Sequence, residues 1–472
     1  MRLWLDGTWE AVRTSFWFVP TLMVAAAVAL SLGALQLDKA MSPENEITAL
    51  GWWTFTRGPE GSRVLLSTVA GSMMTIVSVT FSITIVALQL ASSQFGPRLL
   101  RNFMADRGNQ MAMGVFIATF TYCLLILRSV NGTESERFVP HISVSVALLL
   151  TLLSLGVLIY FIHHAAESIQ AENVIAAVSL DLHHQIERLY PNRIGHEPPE
   201  AAARGNDSPI VPTRLEKDGR SIASKRSDYV QAIDIDRILQ LAAKRDLVVS
   251  VRLRPGKFSI EGGELARAWP AERVDNESAE TIRTAFYFGT RRSLPQDVEF
   301  AIDQLVEVAV RALSPGINDP FTAITCIDRL GAALCELANR SIPSPCRYDE
   351  ESKLRVITDV STISGIVDAS FHQIRQAARG TTSVTLRLLE TMTAVAAHTS
   401  DPEFLAALRR HAEAVHRGSE GGLLDELDRA AADRRYRAAL QALERSPEPL
   451  GGREGHFNDD GGSEALDSQR SR

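Results

Sequence analysis

Apolar and polar positions divide this chain into two unlike parts. Residues 1–163 hold long apolar runs with few charges, while residues 164–472 mix charged and apolar positions as a water-exposed protein does. A bilayer span needs about 20 mostly apolar residues. Four runs reach or approach that length, at about 16–37, 64–95, 111–127 and 142–162. The first is longer than a signal-peptide core and no clear small-residue cleavage site follows it, so it reads as a retained span. Trp4, Trp9 and Trp17 before it, and Trp52 and Trp53 after it, sit where interface anchors belong.

The second run carries the most information. On a helix of about 3.6 residues per turn, Ser67, Gly71, Thr75, Ser78, Ser82, Gln89, Ser92, Ser93 and Gly96 fall in one broad sector. Small residues on a membrane helix mark close backbone approach, and polar ones need a neighbour or water. The pattern therefore predicts that this side faces protein or a wet path, with packing on spans one, three and four as the plainest alternative. At about 1.5 Å per residue the run is roughly 48 Å long, too long for about 30 Å of hydrocarbon. Either the helix tilts or its Gln89–Phe95 end projects into the cytoplasm, and projection is expected because the polar stripe thickens there and Pro97 ends the helix.

The fourth run continues without Gly or Pro through residues 164–190, which predicts a long stalk helix with a stripe of Ile169, Asn173, Ala176, Leu180, His183 and Ile186. An amphipathic stalk must bury its apolar side, and a bundle of stalks in an oligomer is one way to do so. Residues 191–227 read as a linker. Residues 228–293 form a small α+β module, whose strand–Pro-Gly–strand–Gly-Gly–strand pattern resembles half of a small barrel of the lipoyl or hammerhead type. Residues 294–445 read as a helical region, and 446–472 as a disordered tail. The predicted fold class is mainly α: a four-helix transmembrane region with a long stalk helix, then a small cytoplasmic α+β module and a helical region.

Orientation follows from lysine and arginine in short loops. Arg98, Arg101 and Arg107 lie between runs two and three, which predicts that loop and both termini to be cytoplasmic. These arginines are expected to set topology and touch anionic headgroups, or to ring a pore mouth in an oligomer. The formal net charge is -7, with a pI near 5.9, so no basic field suggests nucleic acid. Cys123, Cys326, Cys335 and Cys346 lack C-x-x-C spacing and read as reduced thiols.

Two blocks then carry a resemblance. They are Val79–Phe103 (VTFSITIVALQLASSQFGPRLLRNF) and Ala312–Ala323 (ALSPGINDPFTA). Together they resemble the domain-of-unknown-function 2254 family of predicted bacterial membrane proteins, over roughly residues 5–440. The resemblance implies a multi-pass inner-membrane protein with a cytoplasmic C-terminal region. It supplies no reaction and no residue roles.

Candidate chemistry is sparse. Asp319 before Pro320 is a strong helix start, and Gly316 allows a tight turn. Asn318 is less well explained by structure alone. A ligand loop would join Asn318 and Asp319 with Arg291, Arg292 and Asp297 around an anion. His163 with Glu167, and His183 with His184, are read as packing histidines, since two ligands are too few for a metal. No nucleophile elbow, phosphate loop or paired-carboxylate spacing is visible, so neither an enzyme nor a cofactor is expected. No ionisable residue lies deep in a predicted span, which argues against an ion-coupled carrier. The leading expectation is an oligomeric, channel-like or solute-conducting protein in the lipid bilayer, with Thr75, Ser78, Ser82, Gln89 and Ser93 lining or gating the path. The alternative is a membrane-anchored sensor or scaffold acting through its cytoplasmic region.

Overall fold

A computed structural model describes residues 17–40, 59–96, 106–133, 136–138, 140–190, 213–292 and 296–445. The tryptophan anchors at positions 4, 9, 52 and 53, Arg98 and Arg101, most of the expected linker and the expected tail lie outside those residues.

Four helices are long and apolar enough to cross a membrane: α1 (Phe18–Ala40), α2 (Pro59–Gln94), α3 (Arg107–Ser129) and α4 (His141–Ser168). The centre is α3, which packs on all three others. Half of its apolar window is buried, against about a fifth for each of the rest. Its small residues explain this position. A Cβ at Gly114 would push into the Met23 side chain and crowd the Pro20 backbone at 3.3 Å, so glycine favours the close approach of α1. Polar side chains tie the bundle at its ends. At one end Asp38 accepts the Ile142 and Ser143 amides, both at 2.9 Å, and the Ser143 hydroxyl at 2.6 Å. There too Arg63 donates to the Val130 carbonyl at 2.9 Å. A short hairpin of β1 (Asn131–Thr133) and β2 (Glu136–Phe138) joins α3 to α4. At the other end Asp106 caps α3 by accepting from the Gly108 amide at 2.9 Å, and meets His164 at 2.6 Å.

The expected unbroken stalk is interrupted. Helix α4 stops at Ser168, and α5 (Ala171–Leu189) starts again after Gln170. The buried side of α5 is Val174, Ile175, Val178, Leu182 and Ile186, and only Ile186 belongs to the stripe expected from the sequence. That buried side is covered within this one chain, by the helical region, while Asn173, Ala176, Leu180 and His183 of the expected stripe are exposed. The stalk therefore needs no other copy to satisfy it. Val174, Ile175, Val178, Leu182 and Ile186 recur at helical spacing within α5, on the side opposite most of the expected stripe, whose phase carries across the break from Ile169.

The α+β module contains α6 (Thr213–Asp218), β3 (Arg220–Ala223), β4 (Asp228–Ile233), α7 (Ile235–Arg245), β5 (Val248–Val251), β6 (Phe258–Ser259), β7 (Glu264–Trp269), α8 (Asn276–Thr284) and β8 (Phe286–Gly289). The helical region supplies α9 (Val298–Ala312), α10 (Pro320–Ala338), α11 (Ile363–Ala377), α12 (Thr382–Ala396), α13 (Pro402–Gly422) and α14 (Glu426–Glu444). Two strands interrupt it, β9 (Cys346–Tyr348) and β10 (Leu354–Ile357). They fold back into a five-stranded sheet of order β3-β7-β5-β10-β9, in which β10 runs parallel to β5. A three-stranded sheet of order β6-β4-β8 completes the module. A mixed sheet carrying helices, rather than half a barrel, is the observed arrangement. The correction comes from residues 346–357 and from β3 at 220–223, which the local pattern leaves outside the module, the latter in the expected linker 191–227. Arg355, almost fully buried, holds the insertion in place through Asp349 at 2.6 Å and Asp246 at 2.7 Å.

Candidate functional site

Helix α2 has 36 residues, so it is about 54 Å long. Its buried residues, Ser62, Leu66, Ala70, Met73, Thr80, Thr84 and Ala91, recur on one side. Ser67, Gly71, Thr75, Ser78, Ser82, Gln89 and Ser93 are all exposed on nearly the opposite side. The expected alternative, packing of this stripe on spans one, three and four, is not what the fold does. A Cβ added at Gly71 would meet nothing within 4 Å.

The hydroxyls are satisfied by their own helix. Thr75 donates to the Gly71 carbonyl at 3.2 Å, Ser78 to Met74 at 3.0 Å, Ser82 to Ser78 at 2.9 Å and Ser93 to Leu90 at 2.9 Å. Such back-bonding lets a hydroxyl sit in an apolar setting without a partner from outside. The stripe is thus free to face lipid or another helix, and its polarity alone does not require water. Between the spans, the cavity lined by Thr84, Ala87, Leu88, Asn109, Ala165, Ser168 and Ile169 holds about 10 Å³. That is room for one water at most.

Beyond the bundle α2 becomes part of the extramembrane core. Ala91 and Phe95 are buried with residues of α5 and α9. Arg311 of α9 donates to the Ser93 carbonyl at 3.3 Å. Gly96 has φ +111, and a Cβ there would collide with the Glu307 carboxylate. The end of the second span and helix α9 therefore form one packed joint.

The expected ligand loop is not assembled. Asp297 caps α9 by accepting the Phe300 amide at 3.1 Å, and is buried under Arg292, whose nitrogens donate at 2.9 and 3.0 Å. Arg292 also reaches Asp303 at 2.6 Å. The backbone carbonyl of Arg291 accepts from Gln231 at 2.8 Å. Asn318 and Asp319 follow the other end of α9, which at 15 residues is about 22 Å long. Asp319 caps α10 through the Phe321 and Thr322 amides, both at 3.1 Å. Asn318 is exposed with φ +50, a left-handed turn position that asparagine tolerates. Both halves of the expected site serve as helix starts and turns.

The histidines are spread out. His163 lies 3.2 Å from Glu167, and His183 lies 2.5 Å from Glu336. Among the described residues no group of three ligands for a metal is present.

One cleft escaped the sequence reading. It is lined by Tyr190 at the end of α5, by Ile233, Arg254 and Gln296, and by Arg347, Asp359 and Ser361, with a volume of about 250 Å³. Arg254 is paired with Glu299 at 2.5 Å. Burial and the nearby Glu299 carboxylate push the Tyr190 hydroxyl up to about 12. Its lining comes from segments more than a hundred residues apart, so no local motif marks it.

Comparison with known proteins agrees with this architecture. Residues 13–394 match the family described as predicted membrane protein, DUF2254. An uncharacterised protein of Mycobacterium tuberculosis strain H37Rv and one of Mycobacterium bovis are each 31% identical over 442 residues, covering 92% of this chain and 82% of theirs. No solved structure matches the chain. With four apolar helices bundled at its N-terminal end and the family match spanning residues 13–394, the chain belongs to the DUF2254 family of predicted membrane proteins.

Proposed function

We propose that this protein conducts a small solute through a homo-oligomer in the bacterial inner membrane, with the exposed stripe of α2 turned toward other copies. The reading rests on one observation: Thr75, Ser78, Ser82, Gln89 and Ser93 share a face that the protein's own spans leave uncovered. Among the described residues the cavity between the spans has room for one water at most, so this reading places the path between copies. Small and hydroxyl residues favour close helix approach, which suits a ring of α2 helices. In this reading both termini and the extramembrane region are cytoplasmic. The joint of Phe95, Gly96, Glu307 and Arg311 passes movement of that region to the path. The chain is read as a non-enzyme without a cofactor.

The test is direct. A Ser82→Cys variant should form disulfide-linked dimers in membranes, while Leu149→Cys on exposed α4 should not. Ser78→Leu and Gln89→Leu should abolish solute flux in reconstituted vesicles. Monomeric behaviour with unchanged flux would end the proposal.

A second reading keeps one specific observation in its favour. The cleft beside Tyr190 lies where the end of α5, the α+β module and helix α9 meet, so a ligand bound there would act on the segment leading to the spans. That is a membrane-anchored sensor. Exchanging the spans for an unrelated anchor separates the two, because a sensor would keep its activity and a channel would not.

A further inference from the structure

The direction of each extramembrane helix can be referred to the bilayer. Thr84 and Leu88 of α2, Asn109 of α3, and Ala165 and Ser168 of α4 line one cavity, so they share a height. That height is the end of the apolar spans, next to Asp106 and Arg107. From there α5 leads away, opposite to α9, whose Glu307 and Arg311 step back along α2 from Gly96 to Ser93. Helix α10 runs beside it in the same direction, because His183 meets Glu336 at 2.5 Å and Glu187 meets Arg340 at 3.8 Å. The constant offset between these pairs, carried back along both helices, puts Phe321 level with Ser168. Helix α12 runs with α10, since Arg387 bonds Asp328 at 2.5 Å and Thr391 lies against Gly331. Helix α14 runs with α12, through Thr382–Asp428 at 2.8 Å and Arg435–Glu390 at 2.7 Å. Helices α9, α11 and α13 return toward the spans. The turns at 313–319, 378–381 and 422–425 therefore lie at one end of the helical region, the end level with the membrane boundary.

That end is unusually apolar for a water-facing surface. Leu424 is 93% exposed, Phe321 81% and Leu427 80%, and Ile317 beside them is 42% exposed. The first three are the most exposed large apolar side chains among the described residues, ahead of those on the spans themselves. Next to them Arg375, Arg379, Arg417, Gly418, Gly421 and Gly422 line a cleft of about 530 Å³. Its guanidiniums are poorly matched by acids. The Arg375 Nε is buried without a hydrogen-bond partner. Arg417 reaches only Glu413, at 3.9 Å, and among the described residues no carboxylate comes within salt-bridge distance of Arg379. The neighbouring Asp425 and Asp428 are occupied, the first capping the Leu427 amide at 2.7 Å and the second accepting from Thr382. Burial and the two adjacent guanidiniums pull the Arg375 pKa below its ordinary value, which a bound anion would reverse.

We propose that this end of the helical region rests on the same bilayer that the spans cross, with Ile317, Phe321, Leu424 and Leu427 in its interfacial layer and the Arg375–Arg379–Arg417 cleft holding the phosphate of an anionic lipid headgroup. Apolar anchors combined with basic residues are what a membrane-surface contact requires. Neither oligomerisation nor conduction is needed for this contact.

The full chain in phosphatidylcholine vesicles with a minority of phosphatidylglycerol provides the test. A bimane label at Phe321→Cys or Leu424→Cys should be quenched by spin-labelled lipid and shielded from aqueous iodide. The same label at Ile260→Cys, exposed on the α+β module, should respond to iodide alone. Quenching of the first two by iodide would overturn the proposal. Shielding from both quenchers would overturn it too, because a second protein copy would then be the cover. In detergent, Arg379→Gln with Arg417→Gln should lose phosphatidylglycerol affinity by roughly twenty- to thirtyfold, at about fivefold per arginine. Unchanged affinity, or displacement of the lipid by excess inorganic phosphate, would refute the headgroup assignment.

Discussion

Replacing Phe95 by alanine should uncouple the second span from the extramembrane core. Phe95 is 4% exposed and lies in a cluster with Val174, Ile175, Val306 and Ala309. Removing a buried phenyl ring costs about 3–5 kcal/mol when the cavity does not collapse. For a region of this size that is about 6–20 °C of melting temperature, at about 2–4 °C per kcal/mol. Phe81→Ala is the matched control. It changes the same side chain on the same helix, but Phe81 is 43% exposed on the bundle surface. Lipid tails solvate apolar groups about as well as leucine does, so its shift should be small. The reporter is the Cys326 thiol, fully buried in the same core and pushed up to about 12 by burial. It should resist alkylation until the core opens. Labelling of Cys326, located by mass spectrometry along a temperature ramp in detergent, should begin earlier in Phe95→Ala and unchanged in Phe81→Ala. Equal onsets for the two variants would refute the joint.

Three other outcomes follow from the same packing. Gly331→Val should destabilise the helical region by about 1–3 kcal/mol, since a Cβ there collides with the Thr391 methyl; an unchanged melt would show that α10 and α12 are not in close contact. Asp38→Ala should cost about 1–2 kcal/mol by uncapping α4, with Asp38→Asn milder, as read from protease resistance of the bundle. The third outcome concerns pH. Burial opposes ionisation of Glu299, yet hydrogen bonding and charge from Arg254 hold its carboxyl below the ordinary glutamate value. A depressed carboxylate stabilises the fold fully above its unfolded pKa of about 4.3 and loses that contribution as pH falls through the lower folded value. Acid should therefore lower the melting temperature of the wild type below about pH 4.3, and Glu299→Gln should be less stable at neutral pH with a flatter acid limb.

Composition alone separates the apolar N-terminal bundle from the rest, because a span must bury its whole backbone in hydrocarbon and this forces long uncharged runs. Helix starts are local too. Asp319 with Pro320, Asp401 with Pro402 and Asp297 each cap the helix that follows them, since a cap involves only the next three residues. The excess length of α2 over the bilayer thickness was legible too, and its end packs through Ala91 and Phe95 with α5 and α9.

What lay beyond the sequence depends on partners far along the chain. The side of α2 that is covered was decided by α3, whose small residues let it take the centre, and this left the hydroxyl stripe outside. The stalk found its cover in α9 and α10 rather than in other copies. Strands β9 and β10 joined a sheet begun a hundred residues earlier. Arg292 and Asp297 were separated from Asn318 by the length of one helix, which spacing in sequence cannot convey. Periodicity records that a face is apolar or polar, because that is set by transfer from water. It does not record which surface meets it, because that depends on how the helices are arranged in space.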